Sequence, residues 1–146
     1  MALKIFKAVW FLSLLAVLAV FMFVYASLQE TVIIQDGEQP VVLSKEGFFY
    51  MVLAMLALIN VVVFIFLKLY KKGHDEFLSW LFGLISVINF FFIIAVSFVN
   101  VYNSNEKFDY PRIGFIIYGS VGLILLWIIG WPIYSFFKRF STKASI

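Results

Sequence analysis

The chain has 146 residues, of which 64% are hydrophobic and only 13% charged. A soluble domain carries about 45–50% apolar and about 25% charged residues, so a soluble globular domain is excluded. There is no Cys and one His, which excludes a disulfide framework, a thiolate metal site, a Cys nucleophile and a multi-histidine metal centre within one chain.

The charges fall into short clusters separated by four charge-free runs, Ala8–Gln29, Gly47–Leu67, Phe77–Asn105 and Ile113–Phe137. A membrane-spanning helix needs about 20 apolar residues, and each run meets that length. Backbone amides in lipid must be paired within the segment, so helices are expected, and the runs lack the polar–apolar alternation of barrel strands. The expected fold is all-α: one domain, 1–146, a four-helix antiparallel membrane bundle. Its spans lie at about 8–28, 47–70, 77–101 and 112–137, with an outer loop at 29–46.

The first span follows Lys4 and Lys7, as a signal peptide would, and Val24-Tyr25-Ala26 resembles a cleavage site. Its apolar run exceeds the usual h-region, so an uncleaved anchor is expected. Basic residues fix the orientation. Lys4, Lys7, Lys68, Lys71, Lys72, Lys138, Arg139 and Lys143 fall on one side, against Lys45, Lys107 and Arg112 on the other. Positive charge favours the cytoplasmic face, so both termini are expected inside, in the cytoplasmic (inner) membrane. The net charge of +3 is explained by these helix ends and does not point to nucleic acid. Nine Lys against two Arg, with 19 Phe, suits an AT-rich bacterial genome.

The outer loop after the first span holds two β-prone runs, Thr31–Gln35 and Val41–Leu43, around Asp36-Gly37, a hairpin turn signal. A short outer β-hairpin is predicted, with Val32, Ile34, Asp36, Gly37 and Val41 as its flap. A lone hairpin is marginal in water, so it should rest on another surface. Ser44 suits the N-cap of the second helix, with Glu46 in its first turn.

The second and third spans are joined by Lys71-Lys72-Gly73-His74-Asp75-Glu76, short enough to make them antiparallel neighbours. Gly73 can end the second helix in the left-handed conformation. His74 reads as a solvated loop residue, because adjacent His, Asp and Glu rarely converge on one metal ion. No cofactor is implied.

No Asp, Glu, Lys, Arg or His lies inside any span. Proton relays, ion-coupled transporters and acid–base enzymes place such groups there, so these classes and enzymatic activity are disfavoured. The uncharged polar groups are Asn60 in the second span and Asn89 in the third. At 1.5 Å rise per residue they lie about 12 and about 20 Å from the inner ends, and Ser86, at about 15 Å, is the closer match for Asn60. Interhelical bonding is the expected role.

Along the third span Ser79, Gly83, Ser86, Phe90, Ile93, Ser97 and Asn100 recur at alternating spacings of four and three, a left-handed packing face. Small and hydroxyl residues suit close helix contacts in lipid. Gly47, Ala54 and Ala57 of the second span and Gly114, Gly119, Ser120, Gly122 and Gly130 of the fourth are expected in the same interior. Pro132 should bend the fourth helix near its end. Trp10, Trp80, Trp127 and Trp131 fall toward the inner half and Tyr25, Tyr50, Tyr102, Tyr110 and Tyr118 toward the outer half, as interfacial anchors do.

One stretch carries a family likeness. Tyr25-Ala26-Ser27-Leu28, Val32, Gly37-Glu38, Ser44-Lys45 and Phe48-Phe49 resemble the segment between the first two spans of SdpI-like bacterial membrane proteins. The family's prolines are replaced by Gln29 and Ile33, and Gln35 stands near its His. The resemblance, over Tyr25 to Phe49, implies toxin immunity or sensing. The bare spans and small loops point first to a non-catalytic accessory or structural subunit of a larger inner-membrane complex. Its partners would be other integral membrane subunits and lipids. The alternatives are a small homo-oligomeric transporter or channel lined by Asn60, Asn89 and the serines, and the immunity or sensing role.

Overall fold

In the computed structural model, which describes residues 2–35, 41–70, 74–104 and 110–143, four long helices and one hairpin account for nearly all of the chain. They are α1 (Ala2–Ser27), β1 (Thr31–Gln35), β2 (Val41–Ser44), α2 (Lys45–Leu69), α3 (Asp75–Tyr102) and α4 (Tyr110–Lys143). All four helices are long and apolar enough to cross a membrane. β1 and β2 pair antiparallel, Thr31 with Ser44 and Val32 with Leu43, with an irregularity between Ile33 and Gln35. The turn signal Asp36-Gly37 and the cap residue Gly73 lie outside the described residues.

Helix starts follow local chemistry. Ser44 is extended and its hydroxyl accepts the Gly47 N–H at 3.1 Å, the expected N-cap of α2. Asp75 and Glu76 occupy the first turn of α3, where the helix dipole favours negative charge. Every helix begins before its charge-free run, taking Lys4, Lys7, Lys45 and Asp75 into early turns, and α2 and α4 also continue past theirs, whereas α1 ends at Ser27 and α3 at Tyr102, inside theirs. α4 continues through Pro132 to Lys143.

The helices are not arranged as a closed square. α3 is the hub, packing most closely on α1 and also on α4 and α2. Paired contacts give the directions. Ser13 meets Asn89 and Ser27 meets Asn100, so α1 and α3 run parallel. Trp127 meets Trp80 and Lys138 meets Glu76, so α4 runs against α3. α2 runs against α1, with Phe48 near Phe21 and Asn60 beside Trp10.

The close pair uses matching periodicities. On α1, Leu3, Phe6, Trp10, Ser13, Val17, Val20 and Val24 are buried or half-buried, and on α3 so are Leu78, Phe82, Ile85, Asn89, Phe92, Val96 and Val99. Both rows alternate steps of three and four, the left-handed register of parallel helices. The face predicted for α3 has the right spacing but lies one residue out of phase. Ser79, Gly83 and Ser86 are buried, Ser97 is half-buried, and Phe90 is 51% exposed. Near its start α3 buries two faces, one toward α1 and α2 and one toward α4.

Two further expectations are corrected. Ala54 and Ala57 of α2 are exposed; the helix instead buries Phe48, Val52, Leu56, Asn60 and Val63. Large side chains fill the space because α2 stands farther from α3 than α1 does. A Cβ added at Gly119, Gly122 or Gly130 would meet nothing within 4 Å, and one at Gly114 would meet only Tyr118 of its own helix. Those α4 glycines therefore make no helix contact among the described residues, although Ser120 is buried. His74 is exposed, as a solvated loop residue is expected to be, and its ring stands edge-on to Tyr70 at 4.8 Å.

Two apolar clusters form the core. The outer one, named for the end of the helices that carries the hairpin, joins Val17, Phe21 and Val24 of α1, Leu28, Val32 of β1, Phe48, Val52 and Leu56 of α2 and Val96 of α3. The inner one, at the opposite end, joins Val63, Phe82 and Ile85, with Phe6 and Trp10 packed against it.

Candidate functional site

Between the two clusters lies a polar layer. Asn60 sits between Leu56 and Val63 on α2, Asn89 between Ile85 and Val96 on α3, and Ser13 between Trp10 and Val17 on α1. Asn60 Nδ2 donates to Asn89 Oδ1 at 3.0 Å, and Asn89 Nδ2 donates to Asn60 Oδ1 at 3.2 Å. The remaining capacity goes to the same three helices. Trp10 Nε1 donates to Asn60 Oδ1 at 2.9 Å, Asn60 Nδ2 to the Leu56 carbonyl at 2.9 Å, and Asn89 Nδ2 to Ser13 Oγ at 3.0 Å. The Ser13 hydroxyl donates to the Trp10 carbonyl at 2.7 Å.

Each amide carries two donors and an acceptor oxygen, and all are used. Among the described residues no buried side-chain nitrogen or oxygen lacks a partner. Asn89 is fully buried. Interhelical bonds of this kind contribute roughly 0.6–2 kcal/mol each in a membrane.

The expected match of Asn60 with Ser86 does not form; the Ser86 hydroxyl donates to the Phe82 carbonyl of its own helix at 2.7 Å. Cβ bonds tilt toward a helix's N-terminus, and α2 and α3 run in opposite directions. Asn60 therefore leans toward the outer end and Asn89 toward the inner end, which closes the difference in depth.

The outer end has a second polar joint. The Ile33 N–H donates to Asn103 Oδ1 at 2.8 Å, and Asn103 Nδ2 donates to the Ile33 carbonyl and the Val99 carbonyl, both at 2.8 Å. One side-chain amide thus engages β1 as a neighbouring strand would, covering an edge otherwise open to pairing. Lys45 Nζ donates to the Leu28 carbonyl at 2.7 Å and stands 5.0 Å over the Tyr25 ring. Of the predicted flap residues, Val32 is fully buried in the outer cluster, Ile34 packs against it, and Val41 is 47% exposed. The hairpin closes the outer end of the helices instead of standing free.

The inner end is aromatic. Trp80 Nε1 donates to the Trp127 carbonyl at 2.8 Å, and Trp127 Nε1 donates back to the Trp80 carbonyl at 3.0 Å. The Trp127 ring lies directly on Gly83, leaving no room for a Cβ there. These indoles, and Trp10 in the polar layer, bind protein groups, a role beyond the interfacial anchoring expected of them. Trp80, Trp131 and Tyr134 form a row with ring centroids 5.7 and 5.9 Å apart. Lys138 Nζ lies 2.7 Å from both Glu76 carboxylate oxygens, in an exposed ion pair. Nothing in the residues signals the Trp80–Trp127 exchange beyond Gly83 and Trp127 themselves, because backbone carbonyls have no sequence signature.

Comparison with known protein families, with characterised proteins and with solved structures finds no match to this chain.

Proposed function

We propose that the chain is a non-catalytic accessory or structural subunit of a larger assembly in a bacterial inner membrane. It would contact other integral membrane subunits and lipids, with both termini in the cytoplasm. The observation that carries this reading is the closed polar layer. Asn60 and Asn89 are the polar groups a transport path or reaction centre would need, and their hydrogen-bonding capacity is used within the chain. α4 supports the same reading, since Phe115, Tyr118, Leu126 and Phe137 each stand more than half exposed.

The test is a mild-detergent pull-down from native membranes through a C-terminal tag, read by mass spectrometry. A membrane protein co-purifying at fixed ratio is the expected result; a lone chain overturns the proposal. Orientation is tested separately, and the absence of native Cys makes that simple. Glu38→Cys should react with a membrane-impermeant maleimide on intact cells, and His74→Cys should react only after lysis. The opposite pattern reverses the topology.

A further inference from the structure

The two edges of the hairpin differ. On β1 the Ile33 N–H and carbonyl point away from β2 and are taken up by the Asn103 amide. That fixes the phase of the ladder. In an antiparallel pair, opposed residues alternate between exchanging both hydrogen bonds and exchanging none. Ile33 bonds outward, so Ile33 and its partner Val42 are a pair without mutual bonds. The Lys45 N–H donates to the Glu30 carbonyl at 2.9 Å, which gives the same phase three residues away. The Val42 N–H and carbonyl therefore point out of the far edge of β2, and the Ser44 N–H, two residues on, points the same way. Among the described residues no backbone partner outside the hairpin reaches Val42.

Charge, proline, a bulge or a covering group keeps an edge strand from pairing. β1 has two of these, the Asn103 amide and the irregularity before Gln35. Within β2, Val41 to Ser44, there is no charge, and Val41 and Val42 are each 47% exposed.

The occupant that fits this edge is a second copy of the chain. A residue of an antiparallel pair can stand opposite its own copy and exchange both bonds with it, so the outward N–H and carbonyl of Val42 are self-complementary about a two-fold axis. That axis lies between the strands, along the sheet normal. Val32 is buried and Leu43 half-buried on the face toward the helices, whereas Thr31, Val42 and Ser44 are exposed on the other. The sheet lies across the outer ends of the helices, so its normal follows them. Two copies joined at Val42 then stand the same way up in one membrane with their hairpins level.

We propose that β2 is a self-association edge: two chains pair β2 to β2, antiparallel, with Val42 opposite Val42, into a four-stranded sheet at the outer surface. An edge of four residues buries far less than the ~1,200 Å² of a stable interface, so the dimer is reversible. The bilayer holds both copies at one depth and in one orientation, which lowers the cost of pairing. This pairing is independent of the accessory-subunit reading, and the experiment below reads self-association alone.

The test is disulfide trapping of the full chain in native membranes, which the absence of native Cys permits. Opposed residues of a bonded pair have Cα atoms about 5.5 Å apart, within the roughly 4.4–6.8 Å that a disulfide spans. Val42→Cys should oxidise to a species of twice the chain mass, at least about fivefold more than Thr31→Cys, which is exposed on the same face of the sheet but on the guarded strand. The backbone bond is tested with Val42→Pro, which removes an N–H that the hairpin does not use and suits an edge strand. Energy transfer between donor- and acceptor-labelled chains, labelled through Lys4→Cys in phosphatidylethanolamine–phosphatidylglycerol vesicles, should fall to the random-mixing level in Val42→Pro. It should persist in Val42→Ala, with tryptophan emission unchanged in both. Equal trapping at Thr31 and Val42 marks random collision and overturns the proposal. So does a Val42→Cys adduct with a different protein, or energy transfer that survives Val42→Pro.

Discussion

The side-chain amides of Asn60 and Asn89 face each other across α2 and α3 and exchange hydrogen bonds at 3.0 and 3.2 Å. This mutual pair is the centre of the layer that holds three helices in register. Replacing one member with Leu strands the donors and acceptor of the other, a cost of about 1–3 kcal/mol for a buried unsatisfied group. Asn89→Leu should therefore destabilise the chain in detergent by that amount. The double replacement with Asn60→Leu should cost less than the two single changes added together. Denaturant-titrated helix content gives the double-mutant cycle, and strict additivity would contradict a direct pair.

Gly83 and the α4 glycines should respond in opposite ways. A Cβ at Gly83 overlaps the Trp127 ring and crowds Phe6. Gly83→Ala should displace Trp127, break its exchange with Trp80 and shift the tryptophan emission. Gly119→Ala and Gly122→Ala meet open space and should leave thermal stability in detergent unchanged or raised by up to about 1 kcal/mol. A destabilised Gly119→Ala would show that α4 makes a close contact in the purified particle that the single chain lacks.

The hairpin offers a matched pair. Val32 is fully buried and Val41 is 47% exposed. Val32→Ala removes two buried methylene equivalents, about 1.5 kcal/mol at roughly 0.8 kcal/mol each. Val41→Ala should be neutral within about 0.5 kcal/mol. Equal effects in a thermal unfolding series would mean that the hairpin does not close the outer cluster.

Asn103 should control local opening. Asn103→Ala leaves the Ile33 N–H and carbonyl without that partner. The Ile33 amide should then exchange hydrogen at least tenfold faster, equivalent to about 1.4 kcal/mol of local opening free energy, while mid-helix amides of α3 keep their protection. Unchanged exchange at Ile33 would place its protection elsewhere.

Much of the fold was legible because its signals are local. Bare runs between Lys4 and Lys138 mark spans by length alone, Ser44 marks a helix start, and the β-prone runs around Asp36-Gly37 mark the hairpin. Relations between helices were less legible. Counting depth from Lys68 and Glu76 treats side chains as level with their Cα atoms, so it paired Asn60 with Ser86 and missed the opposing tilts that bring Asn89 to it. The small-residue rule located Gly83, where a ring lies on the backbone, but misplaced Gly119 and Gly122, because it detects the capacity for close approach and not whether a helix arrives. The phase of the α3 face was obscured by Asn89, a polar residue whose partners lie on two other helices. The Asn103–Ile33 joint had no signal, since it depends on where the ends of β1 and α3 meet.

The central position of α3 has a consequence for the order of assembly. Chains are synthesised from the N-terminus, so α1, the hairpin and α2 exist before the helix on which they pack. In that interval Asn60 has no Asn89, Ser13 has no amide to receive, and Ile33 has no Asn103. What remains within the first half is the bond from Trp10 to Asn60 and the seam of Val17, Phe21, Phe48 and Val52. The nascent pair can thus shield the Asn60 amide before its main partner is translated, and the arrival of α3 completes the joints at both the middle and the outer end.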